Sequence, residues 1–136
     1  MAEINPYLIF NGNCGAAFDF YRSVFGGDFL TKAPYSEMPG STPLPESEGN
    51  LIMHVSLPVG NGTILMGSDG PPSQPPVEIG NNVMLAVIPD SREDADRIFA
   101  ALSEGGTVKM PMQDVFWGAY FGMLTDRFGI NWQINL

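Results

Sequence analysis

The chain is poor in several things, and each shortage removes a class of function. Its 136 residues include one cysteine, Cys14, which rules out an internal disulfide framework and a zinc site built from several thiolates. His54 is the only histidine, and so the one ordinary side chain able to exchange a proton near neutral pH. Lysine and arginine number six against fifteen acidic residues, a net charge of −9. Phosphate backbones and anionic lipid are repelled by such a surface, so neither nucleic acid nor a membrane is an expected partner. No apolar run approaches the roughly 20 residues of a membrane helix. The opening Met-Ala-Glu-Ile-Asn-Pro lacks the basic-then-apolar layout of a secretory leader, so a cytoplasmic location is expected. No serine lies in a nucleophile elbow, and the glycines form neither a phosphate loop nor a dinucleotide fingerprint. No cofactor is expected.

What the chain does have is a repeat. Phe20 precedes Gly26-Gly27 by six positions and Phe99 precedes Gly105-Gly106 by six; 99 − 20 and 105 − 26 both give 79. Each time an amphipathic segment runs up to the glycines and an apolar, strand-like segment comes before it. The spacing predicts an internally duplicated domain, an arrangement that often builds a binding cavity where its halves meet. The length suffices for a single domain with a real core.

Tyr7-Leu8-Ile9-Phe10 reads as a buried strand. The stripe Ala16, Ala17, Phe20, Tyr21, Val24 predicts a helix capped by Asn13 and ended by Gly26. A second strand is expected over about 28–35, then a proline-rich loop over 36–49 that could act as a pocket lid. Strands over 51–58 and 63–67 follow, joined by Gly60-Asn61-Gly62, whose Asn-Gly pair suits a hairpin turn. Module one thus spans about 4–69 as βαβββ. A proline-rich connection over about 70–81 leads to module two, about 82–136. There 82–88 is strand-like, Ser91 with Asp94 resembles a capping box, and Ala95, Ile98, Phe99, Leu102 carry a helical stripe. Strands over 106–112, 118–125 and 130–136 complete a second βαβββ unit.

His54 should share a strand face with Ile52 and Ser56, since side chains alternate along a strand. Such a histidine is either a hydrogen-bonded sheet residue or a proton-transfer group; no paired nucleophile accompanies it. Cys14 opens a helix, where free amides favour a thiolate, although a packed, inert cysteine is the simpler reading. Glu93, Asp94 and Asp96 fit a helix start and exposed face, while Asp69 and Asp126 close strands as turn residues. Trp117, Tyr120 and Phe121, with Trp132, Tyr7 and Phe10, can line an apolar pocket or a subunit seam, or simply pack. Met53, Met66, Met84, Met110, Met112 and Met123 are adaptable wall or core material.

The order of elements and several motifs resemble the vicinal oxygen chelate superfamily, also called the glyoxalase, bleomycin-resistance and extradiol dioxygenase fold. The PhnB-like branch is the nearest likeness. Carrying it are Asn5-Pro6-Tyr7-Leu8-Ile9-Phe10-Asn11-Gly12-Asn13, Ala16-Ala17-Phe18-Asp19-Phe20-Tyr21-Arg22-Ser23-Val24-Phe25-Gly26-Gly27, Ala95 to Leu102, Phe116-Trp117-Gly118, and Thr125-Asp126-Arg127-Phe128-Gly129-Ile130-Asn131-Trp132. The resemblance implies an α+β fold of two tandem βαβββ modules forming an incomplete curved barrel, usually as a homodimer. It also implies that metal-bearing members use His, Glu or Gln on the first and last strand of each module. Those positions fall near Asn5 to Tyr7, at Met66 or Gly67, near Asn82 and near Gln133. Two amides supply no charge to offset the dehydration of a divalent ion, so no catalytic metal is expected.

Three readings follow. The first is a metal-free dimer that binds or sequesters a small molecule through Tyr7, His54, Trp117, Tyr120, Trp132 and Gln133. The second is a glyoxalase-like lyase, isomerase or dioxygenase with an atypical site, in which His54, the catalytic candidate, or Gln133 handles a proton or a metal supplied by unexpected donors. The third is a non-catalytic structural or interaction dimer.

Overall fold

A computed structural model of the chain describes residues 1–37 and 50–136. The loop expected over 36–49, with its lid role, therefore lies outside the described residues from residue 38 on. Two compact units are present, Met1–Glu78 and Ile79–Leu136. Unit one contains β1 (Tyr7–Phe10), α1 (Cys14–Phe25), β2 (Thr31–Pro34), a short 3-10 turn (Tyr35–Glu37), β3 (Ile52–Val59) and β4 (Thr63–Asp69). Unit two contains β5 (Leu85–Val87), α2 (Arg92–Ser103), β6 (Thr107–Asp114), β7 (Tyr120–Thr125) and β8 (Asn131–Asn135). Each is a βαβββ module with an open four-stranded sheet, ordered β1-β4-β3-β2 in one and β5-β8-β7-β6 in the other. The α+β, glyoxalase-like fold expected from the sequence is the one found.

In module one the outer strand β1 runs parallel to β4, and β4 pairs antiparallel with β3. The β3–β4 loop takes its positive φ at Gly60 (63°) and Gly62 (100°), with Asn61 outside that region, so it is a three-residue connection between Val59 and Thr63. Helix α1 buries Cys14, Ala17, Phe18, Tyr21 and Val24. This differs from the expected stripe: Ala16 is exposed and Phe20 only partly covered, while Cys14 and Phe18 turn inward. The reason is in the sheet. A Cβ at Gly67 would stand 2.7 Å from Phe18 Cε2 and 2.7 Å from the Leu8 carbonyl, so the missing side chain makes the slot for the Phe18 ring. Burying such a ring contributes roughly 1.5–3 kcal/mol, and edge contacts from Phe10 (6.2 Å) and Tyr21 (5.5 Å) fix its orientation.

Asn13 makes no side-chain capping bond. The buried carboxylate of Asp69, at the end of β4, takes that role. Its Oδ1 accepts from the Gly12 amide at 2.9 Å and the Cys14 amide at 3.0 Å, and its Oδ2 accepts from the Ile52 amide at 2.9 Å. Tyr35 donates its hydroxyl to the Asp69 carbonyl at 2.9 Å. One residue thereby satisfies amides at a helix start and at the head of β3. The following segment stays on module one, where Asn11 exchanges side-chain hydrogen bonds with the Val77 carbonyl and amide.

In module two the Ser91 hydroxyl accepts from the Asp94 amide at 3.1 Å, as the capping motif predicts. The Asp94 carboxylate pairs with Arg97. Ala95, Ile98, Phe99 and Leu102 are buried from α2. Gly122 admits Phe99 as Gly67 admits Phe18, since a Cβ there would lie 2.8 Å from Phe99 Cε2. The turn at Asp126 works as expected. Its Oδ1 accepts from the Phe128 amide at 2.8 Å and the Ile130 amide at 3.1 Å, and its Oδ2 accepts from the Trp132 indole at 2.9 Å.

The internal repeat needs one correction. The helices start 78 residues apart (92 − 14) and both have 12 residues, and the glycine pairs are 79 apart. The buried positions Cys14, Ala17, Phe18, Tyr21 nevertheless match Ala95, Ile98, Phe99, Leu102 at an offset of 81 (95 − 14, and the same for each later pair). Phe99 corresponds in packing to Phe18, and Phe20 is the residue that the sequence motif misassigns.

Candidate functional site

Strand alternation sorts the candidate residues. On the module-one sheet, Val55, Leu57, Leu65 and Gly67 face α1, so the opposite face carries two cross-strand rows. The registers Tyr7↔Met66, Ser56↔Met66 and Thr31↔Ser56 define one row; Ile9↔Ser68 and Ala33↔His54 supply the other. His54 and Ser56 share this face as expected, but Ile52 does not. The β2–β3 register slips between Ala33 and Pro34, leaving Met53 as an extra residue. Pro34 has no amide hydrogen to continue the ladder. Ile52 is consequently turned toward α1, 3.6 Å from where a Gly15 Cβ would stand.

On the open face Tyr7 reaches diagonally to His54. Its hydroxyl lies 3.4 Å from His54 Nδ1, and the rings lie 5.8 Å apart at 29°. Tyr7 is 45% exposed and Ile9 47%, so the face is open along β1. Among the described residues no lysine, arginine, aspartate or glutamate projects from it: Lys32 on β2 instead pairs with Asp19 of α1.

Module two divides the remaining candidates. Gly122, Leu124, Trp132 and Ile134 belong to the α2 side, and Tyr120 joins them, donating its hydroxyl to Asp96 of α2 at 2.5 Å. Arg92 covers the Tyr120 ring at 4.3 Å and is also paired with Asp114. The Asp96 hydrogen bond raises the Tyr120 phenol above its usual range. Trp132 is 3% exposed and tied to Asp126, a packed position within the module-two core. The opposite face carries Phe121, Met123 and Gln133, with Met123↔Gln133 and Ala86↔Gln133 in register. Trp117, 55% exposed, meets Phe121 at 5.7 Å and Phe116 at 4.9 Å. The six candidates thus separate into Tyr7 with His54 on one open face, Gln133 and Trp117 toward the other, and Tyr120 and Trp132 on the helix side.

Cys14 is fully buried, and burial, reinforced by the nearby Asp69 carboxylate, pushes its thiol from 9.0 up to about 12. The helix start does not yield a thiolate here. Burial likewise raises the Tyr35 phenol. Sequence reasoning placed Ser56 on the His54 face without a role and did not single out Ser68; they are 6% and 8% exposed. The signal for Ser56 was its i, i+2 spacing from His54.

Comparison with known proteins completes the assignment. The family model described as "Glyoxalase/Bleomycin resistance protein/Dioxygenase superfamily" matches residues 3–134. The chain belongs to that superfamily. It is 33% identical to protein YjdN of Escherichia coli K12 over 98% of this chain and 94% of that protein. The crystal structure of PA1353 from Pseudomonas aeruginosa is similar at 42% identity and a TM-score of 0.87, covering 99% of this chain and 97% of that one. A Bacillus cereus structure described as a "putative 3-demethylubiquinone-9 3-methyltransferase, PhnB protein" gives 25% identity and a TM-score of 0.77, with 99% of both chains covered. These likenesses place the chain in the PhnB-like branch of the superfamily.

The superfamily resemblance implies metal-bearing side chains on the first and last strand of each module, and the strand registers give the residues paired there. The paired first and last strands present Tyr7 with Met66 in module one and Ala86 with Gln133 in module two. Asn82, expected at the first strand of module two, precedes β5. A phenol, a thioether, a methyl group and an amide do not fit a divalent ion, which needs imidazole or carboxylate donors to replace its water. Among the described residues no group of three or more His, Cys, Asp or Glu side chains could hold a metal, and no helix is long and apolar enough to cross a membrane.

Proposed function

We propose that this chain is a metal-independent protein that binds or sequesters a small, partly apolar molecule, acting as a cytoplasmic homodimer. What supports this reading is that the paired first and last strands carry Tyr7 opposite Met66 and Ala86 opposite Gln133, where the superfamily resemblance implies metal-bearing side chains. The open sheet faces keep the chemistry of a binding wall, with aromatic rings, thioethers and a few neutral hydrogen-bonding groups. Tyr7, His54, Trp117 and Gln133 are the binding residues. Tyr120 and Trp132 support them from the helix side.

The test is elemental analysis of the purified protein, followed by titration with a panel of small aromatic molecules monitored through Trp117 fluorescence, with and without chelator. The expected outcome is substoichiometric metal and binding indifferent to chelator. Stoichiometric zinc, nickel or iron held by these faces would overturn the reading. Light scattering should give twice the mass of the chain.

One observation favours an enzymatic alternative. The Tyr7 hydroxyl at 3.4 Å from His54 Nδ1 pairs two groups able to pass a proton. Turnover of any glyoxalase-type substrate that disappears in His54→Ala would favour it.

A further inference from the structure

We propose that the open face of the module-one sheet holds the carboxylate of a small organic acid, through Ser56, Ser68 and His54. The proposal rests on the binding reading above and assigns that site a ligand class.

Three observations on one face converge. First, Ser56 and Ser68 are each more than nine-tenths buried, at 6% and 8% exposure, yet neither hydroxyl has a hydrogen-bond partner among the described residues. Asp69, the other buried polar side chain of this module, has its carboxylate bonds made. The one fully enclosed side-chain oxygen without a partner among the described residues is Ser103 Oγ, in module two. The hydroxyls of Ser56 and Ser68 therefore keep an opening toward the face they line.

Second, the two serines flank the imidazole. Ser56 lies two residues from His54 along β3. Ser68 is the β4 neighbour of His54, one step beyond the Val55↔Gly67 pair. His54 gives Nδ1 to the Tyr7 hydroxyl and keeps Nε2 for a ligand. Two hydroxyl donors and an imidazole N–H form a donor-rich seat, with Met66 and Ile9 as apolar floor beside it.

Third, no carboxylate on the described strands of module one faces the seat, although the chain as a whole carries −9. In module one, β1 presents Tyr7 to this face, β3 presents His54, and β2 and β4 present no ionisable group. Lys32 and Asp19 are paired with each other at 2.7 Å, Asp69 is turned to the α1 side, and Glu37 is exposed beyond β2. Imidazole is the ordinary side chain that acquires charge between about pH 8 and pH 5, and a hydrogen bond from a charged donor to a carboxylate is roughly twice as strong as a neutral one. Carboxylate binding should therefore tighten on acidification.

The experiment compares 2-naphthoate with its uncharged isostere 2-naphthamide, by calorimetry or ligand-observed NMR, at about pH 8 and about pH 5.5. In the unmodified protein, naphthoate affinity should rise roughly five- to tenfold at the lower pH while naphthamide stays level. His54→Gln should abolish the rise, and Ser56→Ala or Ser68→Ala should each weaken naphthoate by roughly three- to tenfold at both pH values. Because neither hydroxyl has a partner to lose, both alanine variants should unfold at the temperature of the parent. Should either misfold, Ser→Cys keeps the bulk with a weaker donor and must show the same loss. If naphthamide binds as well as naphthoate at the lower pH, or the pH effect survives in His54→Gln, the carboxylate assignment falls and the binding reading stands. If neither probe binds at either pH, the binding reading falls with it.

Discussion

Removing the Asp69 carboxylate should be among the most damaging single changes available in module one, and the cost can be worked from its three bonds. Asp69→Ala strands the amides of Gly12, Cys14 and Ile52. A stranded buried donor costs about 1–3 kcal/mol; with Gly12 able to recover water, the total should be about 3–6 kcal/mol. Small domains have about 5–15 kcal/mol in all, so half the stability could go, with a fall in melting temperature on the order of 10–20 °C. Asp69→Asn is the discriminating variant. Its carbonyl can still serve Gly12 and Cys14, but its amide then faces the Ile52 N–H donor to donor, and the expected loss is about 1–3 kcal/mol. Urea titrations followed by circular dichroism give both numbers, and hydrogen exchange locates the opening at Cys14 and Ile52. An Asp69→Asn protein as stable as the parent, or an Asp69→Ala loss below about 1 kcal/mol, would refute the assignment of these amides to one carboxylate.

Two further outcomes are expected. Cys14 has its folded pKa raised from 9.0 to about 12, so the folded state holds a proton that the unfolded state releases above 9.0. Its contribution to stability is complete below that pH and is lost as pH climbs toward about 12. Alkaline unfolding should accordingly move to higher pH in Cys14→Ala relative to the parent's own neutral-pH stability; identical alkaline profiles would sink the argument. Gly67→Ala forces a methyl against the Leu8 carbonyl and the Phe18 ring, each 2.7 Å away, and should cost about 1–3 kcal/mol; an unchanged urea midpoint would show that the slot is not tight.

Much of the fold was legible because it depends on local patterns. The helix ending at Gly26, the Ser91 cap and the Asp126 turn all involve partners within a few residues, where residue type fixes geometry. The function of Asp69 was illegible because its amide partners Gly12 and Cys14 lie 57 and 55 residues away. The displacement of Ile52 from the His54 face was hidden in a register slip at Pro34, which alternation along a single strand cannot reveal. The candidate set, by contrast, contained its own warning. Trp132 and Gln133 are adjacent on a strand and cannot share a face, and the same holds for Tyr120 and Phe121. Which of each pair faces the helix depended on where Phe99 and Gly122 meet.

The difference between the 78-residue spacing of the helices and the 81-residue spacing of their buried stripes has a consequence for the second half of the molecule. Helix α1 commits its first residue, Cys14, to the core, whereas α2 does so only at its fourth, Ala95. Sliding a helix by nearly one turn against its sheet leaves that turn free. Arg92 occupies it and anchors Asp114, while Asp96, one step beyond Ala95, holds Tyr120. Asp114 and Tyr120 are cross-strand partners at the base of the hairpin that displays Phe116 and Trp117. A duplicated element has thus become a splint for an aromatic tip, and exchanging α1 for α2 would lose the splint even if the core were refilled.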